Sequence, residues 1–367
     1  MAPLRLRHLH LPSVHPDYIP YSLASRVQEH FRRQHLDFKD GSSPTRPPPP
    51  TLISFTPSPI YTLGRRQTAP LSAAEAAPLT APLHIPSPSS STPTAASSPP
   101  NDGSVFITRP RLLHSPRGGL TTYHGPGQVV LWPVLDLKSP HHANFSVRCY
   151  SRLLETTTMA TLRALFGIRA FTTDDPGVWV RQNPPHSPPA PRGVDPEERT
   201  GEGEKLAKIA ALGVHLRRHV TALGTAINVN MPEYQPQQQS SGEDDKAVIN
   251  NNNPWARFIA CGLEGRGVTS IAGQILLSST SSSSPTVDGA LDRGKKSAME
   301  RLVAGAWADE LARRLGLGGP EEGGGVEVVG EEEVVQLMEG LLSSGEGQEE
   351  EERVYVERMR NALRSRR

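Results

Sequence analysis

Gln128-Val-Val-Leu-Trp-Pro-Val-Leu-Asp-Leu137 is a nearly continuous apolar run, the pattern of a buried strand. Working outward, Thr51–Tyr61 is also β-rich, Thr225–Asn230 alternates as a strand, and Leu4–Leu11 is strand-like. Phe258–Ile271 carries strand-like pieces around a glycine-rich centre. Other segments follow the helical period. Leu23, Val27 and Phe31 recur at i, i+4 steps, and Val147–Phe166 places Val147, Tyr150, Leu154, Leu162 and Leu165 on one side. Ser297-Ala-Met-Glu300 has the form of a capping box. It opens a helix with Met299, Leu302, Val303, Ala306, Leu311 and Leu315 at helical steps. Strands and helices mix without regular βαβ alternation. The expected fold class is therefore α/β of the α+β kind, a mixed and largely antiparallel sheet flanked by helices.

Much of the 367-residue chain is not core material: hydrophobic residues are 36 %, aromatics 5 %, and there are 36 prolines and 32 glycines. We expect about 200–230 residues in the packed core, a single-domain size. Four stretches read as solvated insertions: 67–101, rich in Pro, Ser, Thr and Ala; 183–204; 235–253, ending in four asparagines; and the serine tract 278–286. Residues 1–320 would form the catalytic domain, followed by a partly helical, charged extension over 321–367. Lengthening a loop is cheap, about 0.6 kcal/mol per doubling.

With 39 basic and 38 acidic residues, nothing marks a nucleic-acid partner. Two cysteines, Cys149 and Cys261, make no disulfide framework and suit a reducing compartment. No run of about 18 apolar residues is present to span a membrane. At the N-terminus Arg5, Arg7, Arg26, Arg32 and Arg33 outnumber Asp17 and Glu29. Two readings stay open there, an organelle-targeting segment and ordinary strand-then-helix structure.

Three blocks carry chemistry. Arg117-Gly-Gly-Leu-Thr-Thr-Tyr-His-Gly-Pro-Gly-Gln128 has glycines that let something approach the backbone, with Arg117, Tyr123, His124 and Gln128 as polar groups around it. Lys208-Ile-Ala-Ala-Leu-Gly-Val214 leads to Gly224-Thr-Ala-Ile-Asn-Val-Asn230. A lysine opening such an apolar run is either a partly desolvated base or a side chain snorkelling to the surface. In Phe258-Ile-Ala-Cys-Gly-Leu-Glu-Gly-Arg-Gly-Val-Thr-Ser270, Cys261 ends an apolar strand and precedes three glycines, a presented thiol. Cys149, inside an amphipathic helix, reads instead as a small buried hydrophobe.

In that order the blocks closely resemble the lipoyl(octanoyl) transferase family, octanoyl-carrier-protein:protein octanoyltransferases. Thr51-Leu-Ile-Ser-Phe55, Tyr61-Thr-Leu-Gly-Arg-Arg66 and Gly177-Val-Trp-Val180 join the resemblance, which covers most of the chain outside the insertions. It implies the fold of lipoate and biotin protein ligases with an acyl tunnel, and a catalytic pair, Cys261 and Lys208. It implies substrate-binding segments Arg117-Gly118-Gly119-Leu120-Thr121-Thr122-Tyr123-His124, Ala211-Leu212-Gly213 and Gly224-Thr225-Ala226. The donor implied is octanoyl-acyl-carrier protein. The acceptors are lipoyl domains of 2-oxoacid dehydrogenase complexes and the glycine cleavage H protein. A monomer in mitochondria is expected, with no cofactor or metal, because a thioester is already activated. Two departures are Ala260, where many relatives carry proline, and the Lys208–Cys261 interval, lengthened by 235–253.

Two rivals remain. An ATP-dependent lipoate- or biotin-protein ligase shares the fold but needs no nucleophilic cysteine, and Gly201-Glu-Gly-Glu-Lys205 is too acidic to cradle phosphate. A non-catalytic acyl- or protein-binding scaffold would have no reason to keep both Lys208 and Cys261 inside intact motifs.

Overall fold

The computed structural model describes residues 4–13, 18–42, 46–86, 105–182, 205–232, 252–258, 266–279, 293–318, 325–343 and 349–366. The chain opens with β1 (Leu6–His10), α1 (Tyr21–Lys39), β2 (Thr51–Phe55) and β3 (Ile60–Leu63). Next come α2 (Ala73–Thr80), β4 (Leu83–Pro86), β5 (Val105–Thr108), β6 (Arg111–His114), β7 (Thr122–His124) and β8 (Gln128–Val134). Then follow α3 (Val147–Phe166), β9 (Val178–Arg181), β10 (Leu206–Arg217), β11 (Val220–Asn228), a 3-10 turn at Pro254–Arg257 and β12 (Gly267–Val268). The chain ends with α4 (Ile271–Ser279), α5 (Arg293–Leu315), β13 (Val326–Val328), α6 (Glu331–Ser343) and α7 (Glu350–Arg364).

The main sheet runs β12-β10-β11-β8-β2-β1-β13, with β9 also on β10. Its centre is antiparallel, whereas β1 pairs in parallel with β2 and β13, and β12 with β10. β8 sits in the middle, which is why its sequence is apolar throughout: every residue from Gln128 to Val134 is buried. Val129 and Leu131 face one core with Leu52, Ile209 and Ile227, closed by α3 and α5. Val130, Trp132 and Val134 face another with Phe55, Phe31 and Met338, closed by α1, α6 and α7. A small sheet, β6-β3-β7, stands beside it.

Helix α3 has the bounds its periodicity predicts. The Ser146 hydroxyl accepts from the Cys149 N–H at 3.1 Å, and Gly167 ends the helix with φ of 67°. The expectation for Cys149 fails: it is exposed, because it lies in the first turn beside the exposed Val147. The expected capping box at Ser297 is not a helix start either. α5 begins at Arg293, and Glu300 accepts the Thr56 hydroxyl at 2.7 Å instead.

The stretch expected as a solvated loop over 67–101 is structured as far as Pro86. Ser72 and Glu75 form a reciprocal capping box for α2, and β4 pairs with β5. Leu79 and Leu83, set among alanines and prolines, bury against Tyr61, Tyr123 and Trp255. Residues 87–101, 183–204, 235–251 and 280–286 lie outside the described residues, whereas Asn253 caps the 3-10 turn through its side chain. The C-terminal segment is not an appendage. β13 extends the main sheet, and Met338, Tyr355, Val356 and Met359 pack in the α1 core. The arginine-biased N-terminal residues fold as β1 and α1. No helix among the described residues is long and apolar enough to cross a membrane.

Trp307 on α5 is fully buried, and its indole N–H donates to the Thr158 hydroxyl of α3 at 3.0 Å. Trp307→Ala should therefore cost roughly 3–5 kcal/mol of stability, read from the urea unfolding midpoint.

Candidate functional site

Along β10 the strand alternation is interrupted. β9 pairs with Leu206, Ala207 and Lys208, then with Ala210, skipping Ile209. Such a bulge re-aims side chains. Ala207, Ile209 and Ala210 all join the α3 core. Lys208 and Ala211 consequently stand on the opposite face of β10.

Lys208 is only 8 % exposed, a costly place for an ammonium unless something receives its protons. Its Nζ donates to the Pro176 carbonyl at 3.1 Å and lies 4.6 Å from the centre of the Trp179 ring. Arg266 lies over the same ring at 5.1 Å and is ion-paired with Asp175. Gly177 has φ of +126°, and a Cβ there would sit 2.7 Å from the Ala210 carbonyl, so only glycine lets this turn close on β10.

Three residues further along β10 begins a pocket open to solvent. Arg117, Thr122, His124, Ala211, Leu212, Gly213, Gly224, Thr225 and Ala226 line it. Of the substrate-binding positions that the resemblance implies, Gly118, Gly119, Leu120, Thr121 and Tyr123 are not on its wall. Alternation along β7 explains Tyr123: its neighbours Thr122 and His124 face the cavity while its own ring joins Tyr61 and Trp255. The remaining wall comes from Tyr21, Val130, Trp132 and Leu223. No sequence block pointed to these four, because α1 and β8 meet the β10–β11 hairpin only in three dimensions.

The cavity's space comes from a cross-strand pair of glycines, Gly213 opposite Gly224. A Cβ on Gly224 would lie 2.3 Å from the Leu131 carbonyl, and one on Gly213 would meet Arg117 Cδ at 2.9 Å. Arg117 is itself buried and donates to the Thr62 carbonyl and hydroxyl and to the Gly118 carbonyl. Thr225 Oγ1 is buried and has no hydrogen-bond partner among the described residues.

His124 is the polar group whose state the structure fixes. The Thr269 carbonyl can only accept, so Asn228 gives it Nδ2–H at 3.0 Å and turns Oδ1 to Gln128 Nε2 at 2.9 Å. Gln128 Oε1 then faces His124 Nδ1 at 2.7 Å, which must carry the proton. Nε2 is left as an acceptor. Burial lowers the His124 pKa to about 4, so the ring is neutral at working pH. Tyr21 stacks on it at 5.9 Å, and burial raises the Tyr21 hydroxyl to about 12. The chain of amides ends beside the lysine, since Thr269 N–H donates to the Lys208 carbonyl at 3.1 Å.

Cys261 lies outside the described residues. Both flanks of its segment are anchored, Phe258 against Tyr61 and Trp255, and Gly267 paired to Ala207.

A mitochondrial octanoyl-[acyl-carrier-protein]:protein N-octanoyltransferase of Danio rerio is 30 % identical over 263 residues, spanning 72 % of this chain and 82 % of that protein. The chain belongs to the octanoyltransferase family. The model of the lipoyl protein ligase A/B catalytic domain matches residues 110–275, which hold Arg117, Lys208 and Cys261. A probable octanoyltransferase of Schizosaccharomyces pombe is 27 % identical over 74 % of this chain and 88 % of its own. As a family member the chain is an acyltransferase of protein lipoylation, an octanoyltransferase, and these relatives do not favour the ATP-dependent ligase. Among solved structures, a chain of the bipartite lipoate protein ligase system of Thermoplasma acidophilum aligns over 95 % of this chain and 96 % of that one. Its identity is 13 % and its TM-score 0.43.

His124 titrates near about 4 when folded and near 6.5 when unfolded. The unfolded chain therefore binds the extra proton between these values, and stability falls as pH drops from about 6.5 towards 4. The slope should approach ~1.4 kcal/mol per pH unit for this one group. His124→Gln should flatten the measured dependence by about that amount in urea unfolding at pH 7, 6 and 5. An unchanged slope would show that folding does not lower the His124 pKa.

Proposed function

We propose that the chain takes an octanoyl group from octanoyl-acyl-carrier protein as a thioester on Cys261, with Lys208 as its proton-carrying partner, and passes it to a lysine of a lipoyl domain. The observation that carries this reading is the placement of Lys208. It is a buried lysine on the cavity face of β10, beside the strand that the chain reaches six residues after Cys261.

A free thiol, with pKa near about 8.5, is mostly protonated at neutral pH. A cationic Lys208 nearby favours the thiolate. The Cys261 sulfur attacks the donor carbonyl, the carrier's sulfur leaves and takes a proton, and the acyl chain lies in the apolar part of the cavity. The acceptor lysine then attacks acyl-Cys261. Its amine must lose a proton, which Lys208 accepts in its neutral form, and the Cys261 thiolate departs. The unpartnered Thr225 hydroxyl and the amide hydrogens of the glycine-rich segments are the donors available to the oxyanion. No activating nucleotide enters, because the thioester carries the activation.

Intact-protein mass spectrometry with octanoyl-acyl-carrier protein should show one added octanoyl group, mapped to Cys261 and lost in Cys261→Ala. The control matters because Cys149 is exposed, with its thiol pKa lowered by Ser146. Acylation mapping to Cys149 would overturn the assignment. Lys208→Ala should slow transfer at least ~10²-fold and reduce iodoacetamide alkylation at Cys261.

The acceptors of this reading are the lipoyl domains of 2-oxoacid dehydrogenase complexes and the glycine cleavage H protein, served by a monomer in mitochondria. The mitochondrial name of the Danio rerio relative supports that location. A C-terminally tagged protein should fractionate with mitochondria. Exclusively cytosolic protein, with lipoylation unaffected by its deletion, would contradict it.

A further inference from the structure

One peptide group beside Lys208 is held from both ends. The Pro176 carbonyl accepts from Lys208 Nζ at 3.1 Å, and the N–H of the same peptide, that of Gly177, donates to Glu155 Oε1 at 3.1 Å. A trans peptide points its C=O and N–H in opposite directions. Glu155 and Lys208 therefore stand on opposite sides of one amide, an anion on its donor end and a cation on its acceptor end. That alignment polarises the amide in the sense that strengthens both hydrogen bonds.

Glu155 lies mid-way along α3, 9 % exposed, between helix neighbours Leu154 and Thr158 that are buried completely. A buried carboxylate has to be compensated. The charged groups that act on it are Arg152 of its own helix and Lys208 of β10, besides the Gly177 N–H. On the far side Lys208 shares the Trp179 ring with Arg266, whose charge is matched by Asp175. Glu155 is the carboxylate that faces Lys208 across this amide and feels its charge.

We propose that Glu155 is a positioning residue for the reaction: through the Pro176–Gly177 peptide it fixes where the Lys208 ammonium rests and keeps it cationic in the resting enzyme. The inference rests on the reading of Lys208 as the proton-carrying group. In the first half-reaction a cationic lysine favours the Cys261 thiolate. In the second, the same lysine must release and regain a proton, and a carboxylate one amide away sets the pH at which it does so. Burial raises the Glu155 pKa against the opposing pull of Gly177, Arg152 and Lys208.

The test is an NMR titration of Lys208 in the full-length protein, its resonance assigned with Lys208→Arg. Glu155→Gln keeps an oxygen to accept the Gly177 N–H and removes only the charge. It should lower the Lys208 midpoint by on the order of one pH unit, and Glu155→Asp should restore part of the shift. In the wild type the Lys208 signal should show a second, acid-side inflection as Glu155 protonates, a reading that needs no variant to fold. An unchanged midpoint in folded Glu155→Gln, or no acid-side inflection, would overturn the proposal and leave Glu155 as a partner for one buried N–H. The signal reports ionisation rather than turnover. Near-normal transfer by Lys208→Ala would therefore defeat the catalytic reading of the lysine while leaving its coupling to Glu155 standing.

Discussion

A guanidinium cannot shed its proton, so burying one obliges the fold to surround it with acceptors. Arg117 imposes that condition on the molecule. Its donors bind Thr62 on β3 and the Gly118 carbonyl, while its aliphatic stem lies against Gly213 on β10. The loop, the small sheet and the main sheet are thereby tied at one side chain. Glycine is required wherever the backbone comes closest: a Cβ at Gly64 would lie 2.3 Å from the Gly119 carbonyl. With Arg117 filling one part of the gap above Gly213 and Gly224, the cavity is the part left open.

The sequence reading succeeded where a signal was local. The extent of α3 was legible in its apolar period, and the burial of β8 in its nearly continuous apolar run, whereas the caps Ser146 and Gly167 and the central place of β8 came from the structure. It failed where burial was decided at a distance. Nothing around Leu79 and Leu83 suggests a core, because their partners Tyr61, Tyr123 and Trp255 come from three other segments. Cys149 sat in an amphipathic period, but the period does not say that the first turn of α3 overhangs into solvent. Ser297 and Glu300 have the spacing of a helix start, yet the Thr56 hydroxyl claims the carboxylate.

The site divides in the same way. Motifs named the glycines, Arg117, His124 and Lys208, residue types whose chemistry stands out in the sequence. The groups that govern them are encoded as plain hydrophobes or as an ordinary helical glutamate. Tyr21 and Trp132 shape the cavity, and Glu155 meets Gly177 only because α3 packs across β9 and β10. Polar residues with obligatory partners also make the strand ends rigid. The line His124–Gln128–Asn228–Thr269 joins four strand ends through hydrogen bonds of one polarity, and rotating any one amide would set two acceptors against each other.

The pairing of β1 with β13 has a consequence for how the chain reaches its native state. Leu6, Arg7 and His8 align with Val326, Glu327 and Val328, each pair 320 residues apart. An edge strand left uncovered is a template for wrong pairing, and closing so long a loop is slow compared with forming a local hairpin. During synthesis β1 emerges about 320 residues before its partner β13. The α1 face that α6 and α7 cover waits equally long. The β10–β11 hairpin, by contrast, is turned by Arg218 and His219 at positive φ within a single short stretch. It can form before the ends meet, so the cavity-forming half of the fold has the shorter search and the outer edge of the sheet the longer one.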